Sequence, residues 1–181
     1  MIIIVIDLIL IMIGIDEAGR GPLFGRVYTS AVILPKDNFD MTLLKDSKKF
    51  TSKKKIKEVY DYIKENALYY SINYSDENEI DTLNILGATI KSMKESAKQV
   101  ITQYIEKNKI DNVKLYVDGS NFNPLFYNND TYSTYIPYEC VVKGDSIHKC
   151  ISAASILAKV ERDKYIENLC NEHPELDEKY N

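Results

Sequence analysis

Gly14-Ile15-Asp16-Glu17-Ala18-Gly19-Arg20-Gly21-Pro22 is the stretch on which the reading of this chain turns. It closes an apolar run, so the adjacent carboxylates Asp16 and Glu17 stand at the end of what reads as a buried strand, Ile11 to Asp16. Acidic side chains at the end of a core strand need a positive partner, most often a metal ion. The glycines flanking Arg20 carry no Cβ, so the backbone can come close to a ligand, and a guanidinium forks well onto phosphate oxygens. One segment thus points both to a cation site and to a nucleic-acid contact.

Working outward, Val27 to Leu34 is rich in β-branched residues and reads as a second strand, ended by Pro35 and paired antiparallel with the first around the glycine turn. Lys45 to Lys55 is basic and polar. Thr51 or Ser52 can cap a helix running to about Asn66, in which Ile56, Val59, Tyr60 and Ile63 recur at helical spacing. Leu68 to Tyr74 alternates as a third strand, and Asp76 to Ile80 is a turn or short helix. Thr82 to Lys107 is a long helix, with Leu83, Leu86, Ile90, Met93, Ala97, Ile101 and Ile105 as its apolar stripe.

Val113 to Asp118 is again a strand ending on an acid, whereas Asn121 to Thr134 shows no periodicity and reads as a loop. Tyr138 to Lys143 is a short strand, followed by the turn Gly144-Asp145. A final helix runs from Cys150 to about Cys170. Its small face (Ser152, Ala153, Ala154, Ser155, Ala158) lets it lie very near a neighbouring element. The order β-β-(α)-β-α-β-β-α predicts an α/β fold: one domain with a mixed five-stranded sheet flanked by helices.

The 181 residues are enough for one domain with a real core, and the 45% apolar and 28% charged fractions are those of a soluble globular protein. A formal charge of −4 argues against tight non-specific binding of nucleic acid, although acids gathered in a metal site lower the net value without repelling a substrate elsewhere. Cys140, Cys150 and Cys170 have no metal-type spacing, which fits free thiols in a reducing, cytoplasmic setting. Met1 to Ile13 is apolar apart from Asp7, too short for a membrane span of about 20 residues, and without the basic start of a signal peptide. The domain is therefore placed at 12–181, with 1–11 an apolar extension and Met12 an alternative start. A monomer with no membrane partner is expected.

Three predicted strand ends finish in acid: Asp16 and Glu17, then Asp118, then Asp145 just beyond the fifth strand. Brought together, such carboxylates repel unless a cation sits among them. Oxygen ligands select Mg²⁺ or Mn²⁺ over zinc, and neither His148 nor His173 has a partner four residues away. Two such ions about 4 Å apart would clamp a phosphodiester, and four carboxylates would balance their charge. Each residue also has an ordinary reading. Asp16 and Glu17 can open a turn, Asp118-Gly119 can be an Asp-Gly turn, Asp145 can cap the next helix, and Lys48 and Lys49 can be a solvated loop.

Six blocks in order give the chain a resemblance to ribonuclease HII, the type 2 ribonuclease H. They are Gly14 to Leu23, Leu44-Lys45-Asp46-Ser47-Lys48-Lys49, Leu83 to Thr89, Val117-Asp118-Gly119, Val142 to Ser146, and Ile151 to Val160 with Arg162-Asp163. The resemblance spans about residues 13 to 165. It implies the RNase H fold, hydrolysis of the RNA strand of RNA/DNA hybrids, and cutting at ribonucleotides embedded in duplex DNA, leaving 3′-hydroxyl and 5′-phosphate ends. It makes Asp16, Glu17, Asp118 and Asp145 the catalytic acids and the ligands of Mg²⁺ or Mn²⁺, and it gives Gly19, Arg20 and Gly21 the reading of the ribose 2′-hydroxyl. That hydroxyl is what distinguishes RNA from DNA at a given site. Lys48 and Lys49 are then expected to contact backbone phosphates, which positions a duplex without reading its sequence.

Two departures stand out. Arg26 replaces a proline usual in the family, adding a charge near the turn. No residue matches the family's later Gly-Tyr-Gly-Thr segment, whose tyrosine stacks on the sugar at the RNA–DNA junction, and neither Tyr165 nor Tyr180 stands in it. The chain is thus expected to lack that C-terminal segment. Two other readings follow: a non-catalytic or impaired binder of RNA/DNA duplexes, and a two-metal phosphoester hydrolase acting on a small substrate.

Overall fold

β1 (Ile11–Ala18) forms because isoleucines alternate along it, and Ile13 and Ile15 are fully buried. The computed structural model describes residues 10–22, 24–45, 47–128 and 133–176. β1 pairs antiparallel with β2 (Val27–Ile33), which pairs antiparallel with β3 (Tyr69–Ser75). On its other side β1 runs parallel to β4 (Val113–Asp118). A short hairpin, β5 (Leu125–Asn128) and β6 (Ser133–Ile136), precedes β7 (Tyr138–Val141), which lies parallel to β4. The main sheet therefore has the order β3-β2-β1-β4-β7, mixed and five-stranded as expected.

Helices cover both faces. α1 (Lys53–Asn66) and α3 (Lys149–Glu172) pack on one side, and α2 (Glu77–Ile105) on the other. The two-residue period divides the strands accordingly. Ile13, Ile15, Leu115 and Val117 meet Met93, Ala97 and Ile101 of α2, while Val32 meets Ile56, Ile63, Ala154 and Leu157. The small face of α3 is buried throughout, as its composition suggests. The closeness is extreme at Gly14, where a Cβ would lie 2.1 Å from the Cys150 carbonyl carbon and 2.4 Å from the Ile151 nitrogen. Strand and helix backbones touch there, so no larger residue fits and α3 is fixed against the acidic end of β1.

Four details depart from the sequence reading. β1 continues through Glu17 to Ala18, pairing those residues with Thr29 and Tyr28. The stretch 121–134 holds β5 and the start of β6, four-residue strands too short to show a period. β7 ends at Val141, because Lys143 turns left-handed (φ 56°) into the 3₁₀ turn Gly144–Ser146. The two segments read around residue 81 join as α2, kinked at Asn84 (φ 58°, ψ 166°). Expectations that concern residues 1–9, Leu23, Asp46, 129–132 and 177–181 fall outside the described residues. No helix among the described residues is long and apolar enough to cross a membrane, and all three cysteines are free thiols.

The Asn84 kink has its own chemistry. Its side-chain oxygen accepts from the amides of Leu86 and Gly87 at 3.0 and 3.1 Å, acting as a cap inside the helix. Asn84→Ala loses the cap and places an alanine at positive φ, so it should cost about 1–2 kcal/mol. Asn84→Gly keeps the backbone geometry without strain and should cost well under about 1 kcal/mol. Urea unfolding of the two variants measures the contrast.

Candidate active site

Asp16 lies on β1 opposite Ser30, on the strand face that meets α3, and is only 4% exposed. Its carboxylate accepts from the Glu17 amide at 2.7 Å, and the Ser155 hydroxyl of α3 is near enough to favour its charged form. Burial, then the charges of Glu17 and Asp118, push its pKa well above the usual carboxylate range. Burial also raises Glu17. Arg20 opposes that shift, with Nη1 3.1 Å from Glu17 Oε1, and Asp118 reinforces it. Glu17 Oε2 is buried and has no hydrogen-bond partner.

Asp118 ends β4 beside this pair, and its Oδ1 accepts from the Gly144 amide at 2.6 Å. A side chain at Gly144 would crowd this corner, because a Cβ there would lie 2.5 Å from Ile151 Cδ1 and 3.3 Å from Asp118 Oδ1. The parallel register of β1, β4 and β7 thus brings residues 16, 118 and 144 to one corner of the sheet. Asp145 follows Gly144 on its turn and is half-buried. The charges acting most strongly on Asp16 are those of Glu17 and Asp118. Among the described residues no three acidic, imidazole or thiol side chains close around a single point.

The donor set nonetheless suits a hard cation. It consists of oxygens only, the carboxylates are mutually repelling, and one buried oxygen lacks any partner. Glu17 and Asp118 raise the cost of ionising Asp16, and Asp118 raises that of Glu17; a divalent ion would remove that cost.

The turn after β1 has two unlike glycines. Gly19 is held by the fold: φ is +111°, and a Cβ would lie 2.7 Å from both Arg162 Nε and the Arg26 carbonyl oxygen. Gly21 is exposed, and among the described residues nothing lies within 4 Å of a Cβ there, so none of them demands glycine. Arg20 is exposed and leans on Glu17. Beside the turn opens a groove of about 940 Å³, bordered by Pro22, Phe24, Lys53, Lys159 and Arg162.

Lys48 and Lys49 are exposed on the 3₁₀ turn Ser47–Lys49. That turn is anchored to α3 on its leading side. Lys149 Nζ donates to the Leu44 carbonyl at 2.7 Å, and the Ser47 and Ser155 hydroxyls are 3.0 Å apart. Ser155 therefore bridges Asp16 to the lysine turn. The sequence reading placed Ser155 only in a small packing face, and serine among alanines carried no sign of this second role. Arg26, expected to add charge near the turn, has its guanidinium between the rings of Tyr74 and Tyr165.

A family model described as Ribonuclease HII matches residues 13–181. Ribonuclease HII of Francisella philomiragia subsp. philomiragia is 43% identical over 172 residues, covering 94% of this chain and 80% of that protein. The crystal structure of ribonuclease H2 from Pyrococcus horikoshii OT3 superposes with a TM-score of 0.63 at 26% identity, covering 90% of this chain and 76% of that one. The Mn²⁺ complex of Bst-RNase HIII shares the fold at 20% identity, with a TM-score of 0.64 and coverage of 90% and 55%.

Proposed function

The chain belongs to the ribonuclease HII family of type 2 ribonucleases H, and from that premise we propose that it hydrolyses the RNA strand of RNA/DNA hybrids and cuts at ribonucleotides embedded in duplex DNA, leaving 3′-hydroxyl and 5′-phosphate ends. The observation that carries the reading is the convergence of Asp16, Glu17 and Asp118, from two parallel strands, into one electrostatically coupled corner. Asp16, Glu17 and Asp118, with Asp145 at the margin, would hold Mg²⁺ or Mn²⁺. Bound there, such ions supply Lewis acidity and a more acidic water for attack on a phosphodiester. A protein of the same fold has been solved with Mn²⁺, which favours a divalent ion in this architecture.

The chain's own residues do the remaining work. Ser155 and the Glu17 amide orient the Asp16 carboxylate, and the Gly144 amide does the same for Asp118. Gly21 leaves the turn backbone open to a ribose, and Arg20, exposed beside Glu17, is placed to meet a phosphate. Lys48 and Lys49, carried on a turn tied to Ser155, fit contacts to the duplex backbone.

The deciding assay is cleavage of a DNA duplex holding one ribonucleotide, with Mg²⁺ or Mn²⁺, beside an all-DNA duplex of the same sequence. Cutting confined to the ribonucleotide-bearing strand is expected. Tight binding of the duplex without turnover in either metal would favour the non-catalytic reading instead. The open space around Gly21 gives a sharper expectation. Gly21→Ala should leave stability within about 0.5 kcal/mol of wild type while raising KM for the ribonucleotide duplex. Gly19→Ala should instead destabilise the fold, because it meets Arg162 and the Arg26 carbonyl. Thermal melts beside steady-state kinetics separate the two.

A further inference from the structure

The turn that follows β1 returns to β2 through Gly25 and Arg26, and this return stem is held in an unusual way. The Arg26 guanidinium carbon lies 4.4 Å from the centre of the Tyr74 ring and 4.6 Å from that of Tyr165. Tyr28 stands beside them as the third ring: it is 5.4 Å from Tyr74 and 6.0 Å from Tyr165, and it favours the charged form of Arg26. This tyrosine cage is braced from outside, since the Tyr165 hydroxyl donates to Glu77 Oε1 at 2.6 Å, at the start of α2. β2, β3 and α3 thus meet around one cation, and the start of α2 braces them.

The same stem touches the Gly-Arg-Gly segment. The Arg26 carbonyl oxygen sits 2.7 Å from where a Gly19 Cβ would be, so the backbones of residues 19 and 26 are in direct contact. Gly25 takes φ +85°, and a Cβ there would lie 3.1 Å from Ile166 Cδ1 and 3.3 Å from Tyr165 Cε1. Among the described residues the pairing of β1 with β2 ends at Ala18 and Tyr28. What holds the two ends of the turn therefore contributes to its placement. The Glu17–Arg20 pair near the leading end is exposed on the arginine side, and such a pair contributes little rigidity. An arginine stacked between two aromatic faces is a firmer anchor.

We propose that Arg26 is a positioning residue for substrate selection: the tyrosine cage grips its guanidinium, fixes the return stem, and so sets where Gly19, Arg20 and Gly21 stand beside the catalytic carboxylates. This rests on the reading of the turn as the ribose-sensing element. The cage does not touch the substrate. Its effect reaches the site only through the backbone contact at Gly19.

Two measurements on Arg26→Ala and Arg26→Lys test it. The first needs no substrate: trypsin nicking at the exposed Arg20–Gly21 bond, followed by mass spectrometry well below the melting temperature. Nicking follows local opening of the turn rather than global unfolding. Arg26→Ala should be nicked roughly tenfold faster than wild type, and Arg26→Lys, which keeps a cation over the rings, should fall between them. The second is cleavage of the single-ribonucleotide duplex, where Arg26→Ala should raise KM roughly tenfold with kcat within about threefold, and lysine should restore most of the loss. Equal nicking of wild type and Arg26→Ala overturns the proposal. So does faster nicking with an unchanged KM, or a fall in kcat and melting temperature together with no change in KM. A wild-type chain that does not cut the duplex sinks the functional reading, while the nicking comparison still decides whether Arg26 holds the turn.

Discussion

Asp118→Asn should cut a DNA duplex carrying one ribonucleotide at least about 100-fold more slowly than wild type, while folding to the same structure and melting no lower. The two halves of this expectation have one cause. Asp118 Oδ1 accepts the Gly144 amide at 2.6 Å, and an asparagine oxygen can accept the same bond, so the β4–turn junction survives. What disappears is one negative charge beside Asp16 and Glu17, both of which Asp118 makes harder to ionise. The metal-free protein is relieved of repulsion, whereas the site loses a charged oxygen ligand. Loss of roughly 3 kcal/mol of ion-dependent stabilisation in the transition state corresponds to the predicted rate change. Single-turnover cleavage in saturating Mn²⁺, beside a thermal melt without metal, measures both. If Asp118→Asn and wild type give equal rates, the carboxylate corner is not the catalytic centre.

The sheet and the corner were legible in the sequence to different depths. Alternating isoleucines and an acid at the end of each apolar run sufficed for β1 and β4, because burial imposes a period the residues must obey. The small face of α3 announced close packing, and the contact at Gly14 is its consequence. The β5–β6 hairpin was not visible, since four-residue strands with exposed Phe126 and Tyr135 write no period. Nor was the kink at Asn84, which the sequence reading placed inside one unbroken helix: an asparagine whose side chain caps the next turn looks, in sequence, like any polar helical residue. At the site, the acids could be named but their second partners could not. Ser155, Gly144 and the Arg26 cage act through contacts between residues far apart in the chain, which one-dimensional spacing does not encode.

Asp16→Asn should separate the cost of the acidic corner from its use. In the folded protein the Asp16 pKa lies well above its ordinary value, through burial first and then its acidic neighbours. For an acid this means that, between the unfolded and folded pKa values, the native state binds more protons than the unfolded state. Stability then falls as pH rises through that window. Asp16 thus contributes stability that is full below the usual aspartate range and is lost as pH climbs through its raised pKa. Asparagine does not titrate, so the variant should lose less stability than wild type between mildly acidic and neutral pH, each protein compared with itself. That self-comparison cancels any fixed effect of the new amide. A divalent ion should reverse the wild-type loss, because it binds native carboxylates and not the unfolded chain. At about 100 times its dissociation constant it adds about 2.7 kcal/mol, which for a chain of this size raises the melting temperature by roughly 5–10 °C. With one ligand gone, Asp16→Asn should show at most a small part of that rise. Melts at several pH values, with EDTA or with Mn²⁺, provide the test. A metal-induced rise of equal size in both proteins would place the bound ion elsewhere, and parallel pH profiles would mean that the buried Asp16 carboxyl is not under the strain its neighbours impose.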